Sequence, residues 1–250
     1  MNSTQFLQTP NFTLAYISKG NPDSKKLALV LPGRLDTKDY IHITSHVDML
    51  ARKGFYAVSF DPPYTWDSPG DIKNYSSTNY IKAVQELIEH FGNRSTLLVG
   101  HSRGGAIAQL CSDNPRIVGL VLAMASYEAP TAPDLAKTDG DTFMDVRDLP
   151  PGETRTKNKK QMATPMSYFR DAVQYNQVEV LKKFLGPKLM ICGTRDEFIT
   201  PEKVKKVFDS LNEPKVYLEL DSVHDYRLDS NILERINGTI ADFVDKYLEE

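Results

Sequence analysis

Gly100-His101-Ser102-Arg103-Gly104-Gly105 lies between an apolar run, STLLVG (95–100), and a helical stretch, AIAQLC (106–111). This is Gly-x-Ser-x-Gly in a strand-to-helix setting. A nucleophile held on so sharp a turn needs neighbours without Cβ atoms, which is what the flanking glycines supply. Ser102 is then presented at the end of a strand, above the positive end of the following helix. A serine hydroxyl attacks poorly at neutral pH unless an imidazole takes its proton and a carboxylate holds that imidazole in the right tautomer.

The chain offers five histidines. His42 and His46 have i,i+4 spacing but lack the glutamate that a zinc-protease motif requires, and read as ordinary helix residues. His90 ends a helix, where a cation suits the dipole. His101 adjoins the serine and is expected to point away from it. His224 lies in the loop Asp221-Ser222-Val223-His224-Asp225, after the run KVYLEL, where catalytic groups gather at the ends of parallel strands. Asp196 follows the run KLMICG, one crossover earlier. It is preferred over the rival carboxylates Glu197, Asp225 and Glu128 because it falls nearest the strand end. The order Ser102, Asp196, His224 is the Ser…Asp/Glu…His order of one particular α/β fold.

The elements that must position these groups are legible as alternation. Short Val, Ile and Leu-rich runs occupy 26–33, 55–61, 95–100, 117–125, 188–193 and 215–220, as in strands buried on both faces of a parallel sheet. Helical stretches over 39–53, 78–91, 103–112, 201–211 and 230–248 separate them, with Thr200-Pro201 as a helix start. Right-handed crossovers then cover both faces of one doubly wound sheet. The opening QFLQTPNFTLAYIS reads as an antiparallel hairpin at a sheet edge. Residues 126–180 break the rhythm with Pro130, Pro133, Pro150, Pro151 and the basic run RTKNKK, and show no clear sheet strand. So long an interruption reads as an inserted lid within a single domain spanning 1–250. Its Phe143, Met144, Met162, Met166, Tyr168 and Phe169 either line a pocket or anchor the insertion.

Composition narrows the partners. The chain has 250 residues, 40% hydrophobic and 25% charged, with Lys+Arg 30 against Asp+Glu 33. That excludes a disordered or disulfide-stapled protein and offers no basic footprint for nucleic acid. Cys111 and Cys192 sit in apolar contexts and read as core residues rather than a disulfide or metal pair. With no signal-like start and no membrane-length apolar run, the chain reads as cytoplasmic. The sequons at Asn2, Asn11, Asn74, Asn93 and Asn237 matter only in a secreted chain.

From KLALVL to the last helix, and above all in GHSRGG, GTRDEFITPE and SVHDYR, the sequence resembles the α/β-hydrolase family. The resemblance implies a mostly parallel eight-stranded sheet whose second strand is antiparallel. It also implies an oxyanion hole made by the backbone N–H of Arg103 and, in Leu31-Pro32-Gly33-Arg34, that of Arg34. The chain departs from many relatives at Pro32-Gly33, where they have His-Gly. It departs again at Asp61-Pro62-Pro63-Tyr64-Thr65-Trp66-Asp67, where they have an Arg-Gly-x-Gly run, so that this loop is expected to shape the pocket differently. Ser102 itself argues against relatives with an aspartate nucleophile, the haloalkane dehalogenases and epoxide hydrolases.

These readings point to a serine hydrolase acting on a small to medium carboxylic ester or thioester, with a small-molecule substrate and no metal or organic cofactor implied. Acyl transfer, perhydrolysis, and amide or C–C bond hydrolysis use the same triad on this fold, and non-enzymatic relatives bind small molecules. The Arg34 or Arg103 side chain would grip a substrate carboxylate or, on the duller reading, pair with Asp36 or Asp61.

Overall fold

Along Lys26–Leu31, the third strand (β3), side chains alternate between two cores. Leu27, Leu29 and Leu31 enter one apolar cluster, and Ala28 and Val30 enter another. Period-two alternation with both faces apolar requires a layer of helices on each side. The computed structural model, which describes residues 4–134 and 138–248, has that arrangement. Eight strands run β1 (Gln5–Gln8), β2 (Thr13–Lys19), β4 (Tyr56–Phe60), β3, β5 (Ser95–His101), β6 (Ile117–Ala123), β9 (Lys188–Gly193) and β10 (Lys215–Leu220) across one sheet. The pairs β3–β4, β3–β5, β5–β6, β6–β9 and β9–β10 are parallel, whereas β2 is antiparallel to both β1 and β4. The edge hairpin and the reversed second strand are therefore as the sequence implies.

Helices α1 (Ile41–Arg52) and α7 (Ser230–Tyr247) cover one face through Ile43, Val47, Leu50, Leu233, Ile236 and Ile240. On the other face, α2 (Ser77–His90), α3 (Arg103–Leu110) and α6 (Pro201–Asp209) contribute residues such as Leu87, Ile107 and Val204. Each fully buried Leu or Ile contributes about 1.5–3 kcal/mol. Cys111 and Cys192 are buried and unpaired, in keeping with their apolar contexts.

Among its described residues, segment 126–180 adds no strand to the main sheet but holds two of its own. Strands β7 (Thr142–Asp148) and β8 (Lys159–Pro165) form a separate antiparallel pair, followed by the short helices α4 (Met166–Ala172) and α5 (Gln177–Leu181). The sequence hides this hairpin because the buried positions of β7 are carboxylates, Asp145 and Asp148, rather than apolar residues. Those carboxylates fasten the hairpin to the body. Asp145 takes both ends of the Arg34 guanidinium at 2.7 and 2.8 Å. Asp148 pairs with Lys159 and, at 2.7 Å, with Arg227. Tyr40 adds a hydrogen bond to the Asp148 carbonyl at 2.8 Å. Beneath the hairpin, Met162, Met166, Tyr168 and Phe169 pack with Leu35 and Tyr75 in a third apolar cluster.

The loop after β4 takes a different part from the one expected. None of residues 61–67 lines the cavity described below. The Asp61 carboxylate is buried and accepts from the Thr37 hydroxyl at 2.7 Å, from the backbone of Lys38 at 2.9 Å and of Asp67 at 3.1 Å, and from Lys38 Nζ at 3.1 Å. Lys38 Nζ also meets Asp39 and Asp67, and these carboxylates raise its pKa against the cost of burial. The loop is thus a clamp on the segment that carries Arg34.

Candidate active site

Ser102 sits between β5 and α3 at φ 51° and ψ −118°, in the left-handed region that an L residue adopts only under strain. Its neighbours explain how the turn closes. A Cβ on Gly104 would lie 2.1 Å from the Leu31 carbonyl oxygen, and one on Gly100 would lie 2.4 Å from that of Gly104. Only glycine lets α3 start this close to β3 and β5.

The three residues that the sequence singles out meet in one chain of contacts. Ser102 Oγ is 2.9 Å from His224 Nε2, and His224 Nδ1 is 2.8 Å from Asp196 Oδ2. Asp196 Oδ1 accepts the backbone N–H groups of Phe198 at 2.8 Å and Ile199 at 3.0 Å, which fixes the carboxylate. Burial opposes ionisation of Asp196, but the His224 ring and these two N–H donors hold its pKa below the ordinary carboxylate value. Burial also opposes the imidazolium of His224, yet the Asp196 carboxylate prevails and raises its pKa above 6.5.

The rival carboxylates go elsewhere. Glu197 accepts the His224 backbone N–H at 3.3 Å, Asp225 faces Arg227 and Arg155, and Glu128 pairs with Lys203. His101 turns from Ser102 toward Asp36 (3.3 Å) and toward the His224 carbonyl oxygen (3.3 Å), so that it backs the loop carrying His224. Sequence reasoning missed this support and also missed Phe198, whose ring stands edge-on to His224 at 4.9 Å. Both lie inside runs that carry the family resemblance, GHSRGG and GTRDEFITPE, but nothing in those runs says that either side chain meets the loop or ring of His224.

Arg103 opens α3, so its backbone N–H has no helical carbonyl to meet. Among the described residues the Arg34 N–H also makes no hydrogen bond. The two side chains differ from the expected pairings. Arg34 pairs with Asp145, because Asp61 is filled by the Lys38 clamp and Asp36 by His101. Arg103 donates through Nη2 to Ser77 Oγ at 2.7 Å and meets no carboxylate among the described residues.

A cavity of about 1040 Å³ opens above Ser102 and His224. Tyr168, Phe169 and Val146 from segment 126–180 line it, together with Phe198 and Ile199. Of the apolar residues in question there, Tyr168 and Phe169 face the cavity, Met162 and Met166 are buried anchors, Phe143 packs on them, and Met144 is exposed. Among the described residues, one group could hold a metal ion: Asp36, His42 and His101, all buried, bring ligand atoms within 4.8 Å of one another. Also among the described residues, no helix is long and apolar enough to cross a membrane.

A family profile described as the alpha/beta hydrolase family matches residues 28–222. A comparison with curated proteins returns no match. Solved structures share the fold at low identity. Est1E from Butyrivibrio proteoclasticus, with ferulic acid bound, is 14% identical with a TM-score of 0.73 over 96% of this chain and 99% of that one. Alpha/beta hydrolase domain-containing protein 10 from mouse is 18% identical with a TM-score of 0.75 over 98% and 99% of the two chains. The monoacylglycerol lipase of Paleococcus ferrophilus is 19% identical with a TM-score of 0.71 over 93% and 98%. With an eight-stranded sheet reversed only at its second strand and a profile match over most of its length, the chain belongs to the alpha/beta hydrolase family.

Proposed function

We propose that the protein is a serine hydrolase that cleaves a small to medium carboxylic ester or thioester through an acyl-enzyme. The observation that carries this reading is the unbroken chain Ser102 Oγ, His224 Nε2, His224 Nδ1 and Asp196 Oδ2, at 2.9 and 2.8 Å, beneath a cavity of about 1040 Å³. In the first step His224 Nε2 takes the Ser102 proton as Oγ attacks the carbonyl carbon. Asp196 keeps the Nδ1–H tautomer and stabilises the imidazolium. The backbone N–H groups of Arg34 and Arg103 receive the negative charge that develops on the carbonyl oxygen, each worth about 10²–10³ in rate. His224 returns its proton to the departing alcohol or thiol. Water, deprotonated by His224, then attacks the acyl-enzyme and frees Ser102.

Segment 126–180 acts in this reading as a lid whose Tyr168 and Phe169 form one wall of the substrate cavity. The location expected from the sequence, the cytoplasm, belongs to the same proposal. An aligned triad on a strained turn supports catalysis over the non-enzymatic alternative, since a merely ligand-binding pocket has no need of the Ser102 backbone conformation.

The test is hydrolysis of p-nitrophenyl esters of increasing acyl length by the wild type and Ser102→Ala. Turnover that disappears in the variant is expected, and the preferred length sizes the cavity. Equal turnover by both proteins would remove Ser102 from the mechanism. Absence of turnover on oxygen esters and thioesters alike would contradict the proposed bond class.

A further inference from the structure

The charge of the substrate cavity runs against that of the chain. Lys+Arg number 30 against Asp+Glu 33 overall. Around the cavity nine lysines and arginines face five aspartates and glutamates among the described residues. A concave site lined by one sign of charge concentrates ligands of the other. Most of these cations have partners: Arg34 is neutralised by Asp145, Arg227 by Asp148, and Lys203 by Glu128. Two at the mouth are poorly matched. Lys206 is exposed and makes no ion pair among the described residues, and Arg155 lies 3.8 Å from Asp225.

The decisive cation is deeper. Arg103, the residue after the proposed nucleophile, lines the cavity and is only 3% exposed. Its Nη2 reaches Ser77 Oγ, a neutral partner, while Nε and Nη1 are enclosed and have no hydrogen-bond partner among the described residues. A guanidinium has five N–H donors and stays charged, so burying it without a carboxylate is costly. Ser77 lies two residues beyond Tyr75, and the Tyr75 ring stacks on Tyr168 with centroids 4.8 Å apart. Arg103 and Tyr168 both line the cavity, so the Arg103 charge belongs to the same wall region that the contact with Ser77 helps to fix. The buried Tyr168 hydroxyl also lacks a partner among the described residues. An uncompensated positive charge and unmatched donors in the lining of a substrate cavity are what an anion would complete.

We propose that the substrate carries, besides the scissile ester or thioester, an anionic group, and that Arg103 selects for it. Carboxylate and phosphate share the required chemistry, an oxyanion that accepts from the guanidinium. The proposal rests on the serine-hydrolase reading above. Arg34, the other arginine beside the site, is excluded from this role because Asp145 already takes both ends of its fork.

The experiment compares kcat/KM for length-matched pairs. A p-nitrophenyl ester of a monocarboxylic acid is set against the half-ester of a dicarboxylic acid. A neutral glycerol monoester is set against its glycerol phosphate counterpart. The expected result is a preference for one anionic member of on the order of tenfold to a hundredfold, the worth of a charged hydrogen bond. Which pair shows it tells carboxylate from phosphate. The preference should shrink with added salt as the mouth charges are screened, and should collapse toward parity in Arg103→Met. Because that variant removes a buried contact, a second measurement uses Ser102→Ala with Arg103 intact. Thermal stabilisation by a dicarboxylate or an organic phosphate should exceed that by a monocarboxylate of equal length. Neutral esters turned over through Ser102 with no anionic preference in either pair would overturn the selection but leave the hydrolase reading intact. No turnover of any ester would sink the hydrolase reading, and the stabilisation ranking would still decide whether the cavity seats an anion.

Discussion

His224 must be neutral to take the Ser102 proton, and two effects act on its charge in opposite directions. Burial disfavours the imidazolium, while Asp196 at 2.8 Å favours it and wins, so that the pKa is raised from 6.5. In the proposed mechanism the protonated form is inactive. The acid limb of kcat/KM should therefore fall with a midpoint above pH 6.5, and a pH-rate profile on a neutral ester checks this. Asp196→Asn removes the charge that raises the pKa and favours the wrong tautomer. It should keep the fold by circular dichroism and lower kcat by about 10⁴. Near-normal activity in that variant would take Asp196 out of the mechanism. All three members of the contact chain Ser102, His224 and Asp196 could be read in the sequence as candidates, because a glycine-flanked serine and two loops at strand ends leave few places for the partners. Asp36, His101 and Phe198 could not, since each acts through contacts made across the fold.

Among the elements, the strands of the main sheet were the most legible, because burial on both faces writes nearly continuous apolar runs. The β7–β8 hairpin was not, because its inward positions hold Asp145 and Asp148 and it is fixed by charge rather than by apolar burial. That difference can be tested. Asp145→Ala leaves the Arg34 guanidinium without its carboxylate in a half-buried site. Breaking a buried pair costs about 3–5 kcal/mol, and the partial exposure of Arg34 places this one near 2–3 kcal/mol. Urea unfolding should show the loss, and limited proteolysis should cut sooner within 126–180. Unchanged proteolysis would mean that the apolar cluster of Met162, Met166 and Phe169 holds the segment alone. The clamp on the loop after β4 is a second such case. Lys38→Met abandons a fully buried Asp61 carboxylate and should destabilise the fold by about 3–5 kcal/mol in the same assay.

For the whole molecule, two buried histidines link stability to pH. Among the described residues His42 has no hydrogen-bond partner at either ring nitrogen, and burial drives its pKa well below 6.5. His46 lies between Asn237 at 2.7 Å and the Tyr226 hydroxyl at 2.8 Å, with its pKa lowered by burial to about 4. Both bind protons more readily when unfolded. Their contribution is present above pH 6.5 and is lost as the pH falls through the folded values, at up to about 1.4 kcal/mol per pH unit for each group. His224, raised rather than lowered, works in the other direction and loses its contribution as the pH rises through its folded value. A Tm that falls steadily between pH 6.5 and 4.5 is expected, and a flat Tm over that range would contradict neutral burial of the pair. The central claim concerns Ser102, and the most direct measurement is intact-mass analysis after treatment with a fluorophosphonate, which reacts with a serine only when a base activates it. One adduct per chain, mapped to Ser102 and absent in Ser102→Ala and His224→Ala, is the predicted result. A wild-type chain that takes up no adduct, or takes it up on another residue, would contradict the account.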